Sequence, residues 1–262
     1  MLILLPPSET KTVPAAGSPV RLDDLSLPEL APDRERVLAA LEETSGRHDA
    51  LEALGVGPSL GREVARNLRL RTEPTAPALE VYTGVLYDAL DHGSMTAWER
   101  AVAAEAVVVI SALWGAVRPG DRIPAYRLSM GTTLPGVSGA AATRLSSYWK
   151  PRLLEHLGPE TEGRLIIDCR SAAYAAAFAV SPETTVTVRA VRETGIKRTV
   201  VSHFAKRTRG ELAGHAIRAV AAGQRIETPG QLAEVAARHW RVELVEPTAR
   251  RAGVLTVVLD GD

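Results

Sequence analysis

Ala106-Val-Val-Val-Ile110-Ser-Ala-Leu-Trp-Gly-Ala-Val-Arg-Pro-Gly-Asp-Arg-Ile-Pro-Ala-Tyr126-Arg-Leu-Ser-Met-Gly131 is the stretch on which the fold turns. Ala106 to Ile110 is a short apolar run of β-branched residues that ends in glycine and proline, the pattern of a buried strand. Just upstream, Thr96-Ala-Trp-Glu99 has capping-box spacing and predicts a helix starting at Ala97. A helix leading into a buried strand and out through a loop shaped by glycine and proline is the building unit of an α/β protein. The loop presents Arg118, Asp121, Arg122, Tyr126 and Arg127. Loops carried on a scaffold are where sites are built, and this one reads as a polar floor for something anionic.

Outward from there, helices and strands alternate to both ends. Leu2 to Leu5 is a buried strand stopped by Pro6-Pro7, with the polar turn Ser8-Glu-Thr-Lys-Thr12 at its carboxyl end. Residues 13 to 32, with four prolines, read as an extended surface connection. A helix opens at Pro32 and runs to about Glu43, a helix-turn-helix-like passage covers Asp49 to Arg69, and Pro77 to Leu90 is helical. Ser138 to Leu157 reads as a helix bent at Pro151, where an amide is lost. Arg164 to Asp168 is a strand. Thr185 to Arg192 and Lys197 to Phe204 form a hairpin around Glu193-Thr-Gly. A helix over Ala205 to about Ala222 follows, then a second capped start at Thr228-Pro-Gly-Gln231. Trp240 to Val245 and Val254 to Leu259 are the closing strands. With no linker and no repeat, the expectation is one compact α/β domain over residues 1–262 with a mixed sheet and surrounding helices.

Composition narrows the function classes. The chain has 262 residues, with 31 Lys+Arg balanced by 31 Asp+Glu, so no global field draws in nucleic acid or an anionic membrane. Anion binding must come from local clusters. Cys169 is the only cysteine, which forbids an internal disulfide and fits a reducing compartment. The N-terminus lacks the basic, then long apolar pattern of a signal peptide. No stretch approaches the ~20 apolar residues of a membrane span. A cytoplasmic protein with no membrane partner is expected. The six histidines are scattered, and no HExxH, Walker or dinucleotide fingerprint occurs. Neither a metal site nor a cofactor is expected.

Five dispersed blocks carry a family resemblance. They are Met1-Leu-Ile-Leu with Pro7 and Thr10; Tyr82-Thr-Gly-Val-Leu-Tyr87; Ser111-Ala-Leu-Trp-Gly-Ala-Val-Arg-Pro-Gly-Asp121 with Tyr126-Arg-Leu-Ser-Met-Gly131; Tyr148-Trp149 and Ser171 with Tyr174; and Phe204-Ala-Lys-Arg-Thr-Arg-Gly210. In this order and over nearly its whole length, the chain resembles the YaaA family of peroxide-stress proteins. The resemblance implies a cytosolic protein that helps cells survive hydrogen peroxide, linked to keeping free iron low. It also implies a mixed α/β fold with a helix-hairpin-helix-like element and an affinity for DNA. The chain departs from the family pattern at Glu9, at Asp168 and at Ala172-Ala173.

Two ligand classes remain open. In the first, Leu54-Gly55-Val-Gly57 is the hairpin of a helix-hairpin-helix spanning 49–71; its glycines let amides approach a DNA phosphate, Arg62 and Arg66 neutralise neighbouring ones, and Lys206 with Arg209 lines the adjacent cleft. An ordinary helical turn with solvated arginines is the structural alternative. In the second, Arg118, Tyr126, Arg127, Lys206 and Arg209 hold a small anionic or nucleotide-like substrate, and Glu9, Asp121 or Asp168 supplies acid–base chemistry. Arg118 with Asp121 could equally be a loop-holding ion pair, and Ser8, Glu9 and Lys11 a polar strand cap. Cys169 follows Ile166-Ile167, reads as a buried, inert thiol, and is rejected as a peroxide-reactive group. Both ligand classes require cations from remote segments to gather around one hollow.

Overall fold

The computed structural model describes residues 1–194, 197–200 and 202–260. Its spine is an eight-stranded mixed sheet. The strands are β1 (Leu2–Leu5), β2 (Val107–Ser111), β3 (Gly115–Val117), β4 (Ile166–Asp168), β5 (Thr185–Thr194), β6 (Lys197–Val200), β7 (Arg241–Val245) and β8 (Gly253–Asp260). They lie in the order β7-β8-β5-β4-β1-β2-β3, with β6 paired to β5. β1 is parallel to β2 and β4, and β4–β5 and β5–β8 are also parallel. The pairs β2–β3, β5–β6 and β7–β8 are antiparallel. Leu2–Leu5 and Val107–Ser111 are buried throughout, because parallel strands covered on both faces need apolar side chains at every position.

The chain leaves β1 toward β2 on one side, and leaves the adjacent β4 toward β5 on the other. Their carboxyl ends therefore flank a topological switch point, the place where open α/β sheets receive ligands.

Six principal helices flank the sheet: α1 (Ala31–Ser45), α2 (Val85–Leu90), α3 (Ala97–Ala106), α4 (Leu145–His156), α5 (Ser202–Ala221) and α6 (Pro229–Ala237). Both expected capping boxes form, at Thr96 with Glu99 and at Thr228 with Gln231. The α2–α5 contact depends on Gly210, since a Cβ there would lie 2.0 Å from the Leu86 carbonyl oxygen.

Several expectations are corrected. Ser138 to Leu157 is not one helix. Thr133–Gly136 and Gly139–Arg144 form a hairpin, and α4 begins only at Leu145. Gly136 and Gly139, at φ of +81° and +89°, supply the turn, and the ladder overrides the helix preference of the alanines between. The 77–90 region is likewise two short helices, Ala78–Val81 and α2, separated at Gly84 with φ +91°. That break frees Tyr82 to form a bridge with Lys11. In the 49–71 segment, a four-residue helix (Ala50–Ala53), a 3-10 turn (Pro58–Leu60) and a six-residue helix (Gly61–Arg66) replace two full helices. Residues 13–32 include two 3-10 turns, Leu22–Asp24 and Pro28–Leu30. β6 ends at Val200 and α5 starts at Ser202, while the expected turn at Gly195, and Val201 between these elements, lie outside the described residues. Among the described residues, no helix is long and apolar enough to cross a membrane.

Candidate functional site

The residues after β1 run along the Val81–Thr83 backbone. Thr12 N–H donates to the Val81 carbonyl at 2.9 Å, and Thr83 N–H to Ser8 Oγ at 3.1 Å. This lays the Lys11 side chain across two tyrosines, with Nζ 4.3 Å from the Tyr126 ring centroid and 5.5 Å from that of Tyr82. Nζ donates one hydrogen bond, to the Ser8 carbonyl at 2.6 Å. Desolvation, reinforced by the neighbouring Arg127 charge, lowers the Lys11 pKa to about 7, with Glu63 and Glu9 opposing. Arginine could not respond in this way, because its guanidinium stays protonated.

Arg127 is positioned through its own backbone. Asn67, fully buried, accepts from Arg127 N–H at 3.0 Å and donates to the Arg127 carbonyl at 2.9 Å. The guanidinium donates from Nη1 to the Glu9 carbonyl at 3.1 Å, and carboxylate oxygens of Glu63 and Glu9 stand 3.7 and 3.8 Å away. Arg127 Nε is buried and has no hydrogen-bond partner among the described residues. Glu9 itself is 77% exposed at its side chain and stands at the mouth.

Beneath these cations runs a hydroxyl chain. Ser111 Oγ accepts from the Leu113 and Trp114 amides at 3.2 and 3.0 Å and lies 2.7 Å from the Tyr126 hydroxyl, which is 3.0 Å from that of Tyr82. Two amides fill the acceptor capacity of a serine hydroxyl, so Ser111 donates to Tyr126. The serine and the two tyrosine hydroxyls thus share one buried network. Burial holds both tyrosine pKa values well above the ordinary range, so both phenols stay neutral donors.

The other expected site residues have different placements. Asp121 is buried and accepts from Arg118 N–H at 2.8 Å, Ser26 N–H at 3.0 Å and Ser26 Oγ at 2.8 Å; it staples the loop. Arg118 points toward the opposite end of β2, bonded to the Ala104 and Glu105 carbonyls and to Glu160. Asp168 is closed off by Arg170, with bonds of 2.8 Å from Nε and Nη2, and Arg170 also donates to the Phe178 carbonyl. Tyr126 is too deeply buried to be a stacking platform. Cys169 is buried, and desolvation pushes its pKa up to about 12, leaving a protonated thiol. Arg209 lies beside Cys169 and donates to the Val188 carbonyl at 3.2 Å, whereas Lys206 is exposed one turn earlier. The side chains of Lys197 and His203 lie outside the described residues.

In the 49–71 segment, Gly55 has φ +65°, and a Cβ at Gly55 or Gly57 would meet nothing within 4 Å. Arg62 is exposed without a carboxylate partner among the described residues. Arg66 and Arg69 pair with Glu73, and Arg71 with Glu35 and Glu42. The arginines do not converge as a group; Lys11 and Arg127 do.

Sequence reasoning passes over two residues that hold this arrangement. Asn67 is one. Arg34, 0% exposed, is the other, donating to the Trp114 and Ala116 carbonyls at 3.0 Å each and to the Ser26 carbonyl at 2.6 Å. Nothing in the local pattern marks either, because Asn67 clamps Arg127, 60 residues on, and Arg34 reaches Trp114 and Ala116, 80 and 82 residues on. The roomy groove of about 590 Å³ near Met1, Trp98, Val102, Val220 and Ile226 sits at the amino ends of the strands. It is apolar and remote from this cluster.

Fold and site together define an α/β protein with a half-buried amine and a partly unsatisfied guanidinium at the switch point of a mainly parallel sheet. The chain belongs to the family described as peroxide stress protein YaaA, whose model matches residues 1–244. It is 45% identical over 240 residues to a UPF0246 protein of Streptomyces coelicolor, covering 89% of this chain and 88% of the relative. A UPF0246 protein of Corynebacterium efficiens is 44% identical over 237 residues, covering 90% and 91%. One from Cereibacter sphaeroides is 31% identical over 221 residues, covering 81% and 84%.

Proposed function

We propose that this chain serves the peroxide-stress response in the cytoplasm by acting on a small anionic substrate held at the carboxyl ends of β1, β2 and β4. One observation carries this reading: Lys11, with a single hydrogen bond, and Arg127, with a buried unpartnered Nε, stand side by side at a ligand-receiving edge. An anionic oxygen would satisfy both. Glu9, exposed beside Arg127, is the acid–base candidate, since Asp121 and Asp168 are engaged in structural bonds. A thermal-shift screen of inorganic phosphate, nucleotides and small carboxylates tests it. At least one anion is expected to raise Tm, and Arg127→Met to weaken its binding about tenfold or more, as for a lost charge-assisted hydrogen bond. Equal binding by Arg127→Met and the native chain would remove the assignment.

A second reading, DNA contact that shields the duplex from iron-driven peroxide damage, is favoured by the open Gly55–Gly57 turn beside the unpaired Arg62. Fluorescence anisotropy with duplex DNA is the check. Affinity should fall with salt with a slope of about −0.9 per phosphate contacted, and Arg62→Ala should flatten it. Binding that Arg62→Ala leaves untouched counts against this surface.

A further inference from the structure

Arginine dominates the cations of this chain. Only four lysines occur, Lys11, Lys150, Lys197 and Lys206. One of them occupies the place where the strand-end loops meet, laid on a tyrosine ring and bonded through a single acceptor. The nearby carboxylates of Glu9 and Glu63 stand against Arg127, and among the described residues none lies within ion-pair distance of Lys11. A half-buried ammonium whose three donors meet one acceptor among the described residues is poorly satisfied as a cation. As a free amine it needs no counter-charge and carries a lone pair.

We infer that Lys11 is a nucleophile that forms an imine with an aldehyde or ketone carried by an anionic substrate, with Arg127 holding the anionic group. The inference rests on the anion site proposed above and adds the chemical class of the substrate. The amine nitrogen adds to the carbonyl carbon, and the carbonyl π pair moves onto oxygen. The nitrogen loses a proton, the oxygen gains one, and a carbinolamine results. Protonation of its hydroxyl and expulsion of water form the carbon–nitrogen double bond as an iminium, whose nitrogen then returns a proton to solvent to leave the imine. Amine plus carbonyl gives imine plus water, with no oxidant or reductant consumed. A lowered amine pKa from desolvation is the established way to ready a lysine for this chemistry, and Lys11 has that shift.

Pyridoxal 5′-phosphate, an aldehyde bearing a phosphate, is a suitable probe. The full chain is incubated with it at a small molar excess, trapped with cyanoborohydride and mapped by peptide mass spectrometry. Lys11 is expected to be labelled at least tenfold faster than Lys150, Lys206 and the Met1 amine, with a rate that rises through pH 7. Lys11→Met and Lys11→Arg, checked for native folding by circular dichroism, should lose that label and keep the slow background. Labelling of Lys11 no faster than Lys206 in the folded native chain overturns the inference. Phosphate binding that depends on Arg127 without any imine at Lys11 overturns it too and leaves the anion site standing. Selective labelling by phosphate-free pyridoxal at the same rate supports the nucleophile and sinks the anion site instead.

Discussion

At the scale of single residues, Lys11 and Arg34 show how burial treats two cations differently. Lys11 can shed its proton, so desolvation lowers its pKa to about 7. Between that value and the ordinary 10.5, the unfolded chain holds more protons than the folded one, and stability rises with pH across the window. Lys11→Met should therefore stabilise the protein more at pH 6 than at pH 10, read as a difference in urea midpoints; an equal change at both pH values would contradict the assignment. Arg34 keeps its proton and is satisfied by backbone carbonyls instead, though burial brings its pKa down to about 10. Arg34→Met strands the Trp114, Ala116 and Ser26 carbonyls and should cost about 3 kcal/mol or more in urea unfolding. A loss below about 1 kcal/mol would mean the loop does not depend on it.

Among the elements, the strands are the best-read part of the chain. Leu2–Leu5 and Val107–Ser111 announce themselves as apolar runs, and Thr96 and Thr228 as caps, because each signal is local. The failures share one cause. The alanines at 140–142 favour a helix, but Gly136 and Gly139 turn the chain into a ladder that only the partner strand rewards. At the site, Ser8, Glu9 and Lys11 are legible as a strand-end turn, and Tyr126-Arg127 as part of a polar floor. The Asn67 clamp and the Ser111–Tyr126–Tyr82 chain are not legible, since both are made by tertiary pairing. Helix packing yields its own test. Gly210→Ala gains helix propensity yet drives a methyl into the Leu86 carbonyl, so it should destabilise by about 1–3 kcal/mol. An unchanged or raised Tm would show that α2 and α5 can separate without cost.

Across the whole molecule, charge is balanced locally as well as in sum. Arg66, Arg69 and Arg71 are held by carboxylates, as are Arg118, Arg152 and Arg198. This favours a ligand recognised by a few convergent groups over one held by a broad field. The sheet also ties the chain's ends together. The family match stops at residue 244, yet β8 continues the sheet beyond it and pairs with β5 from Gly253↔Val186 to Asp260↔Glu193. Deleting residues 246–262 would expose β5 as an unpaired edge and strand its apolar face. The truncated chain should lose cooperative unfolding or aggregate, and a truncation with native Tm would show the strand to be dispensable.

The most direct test of the account is a pH titration of the lysine 13Cε resonances by NMR. Four lysines make the spectrum simple to assign, with Lys11→Met identifying its own signal. One resonance, absent in that variant, is expected to titrate near pH 7 and to move on addition of the anion found by thermal shift. Should all four titrate together in the ordinary lysine range, indifferent to every anion, the amine at the strand ends is not the working group described.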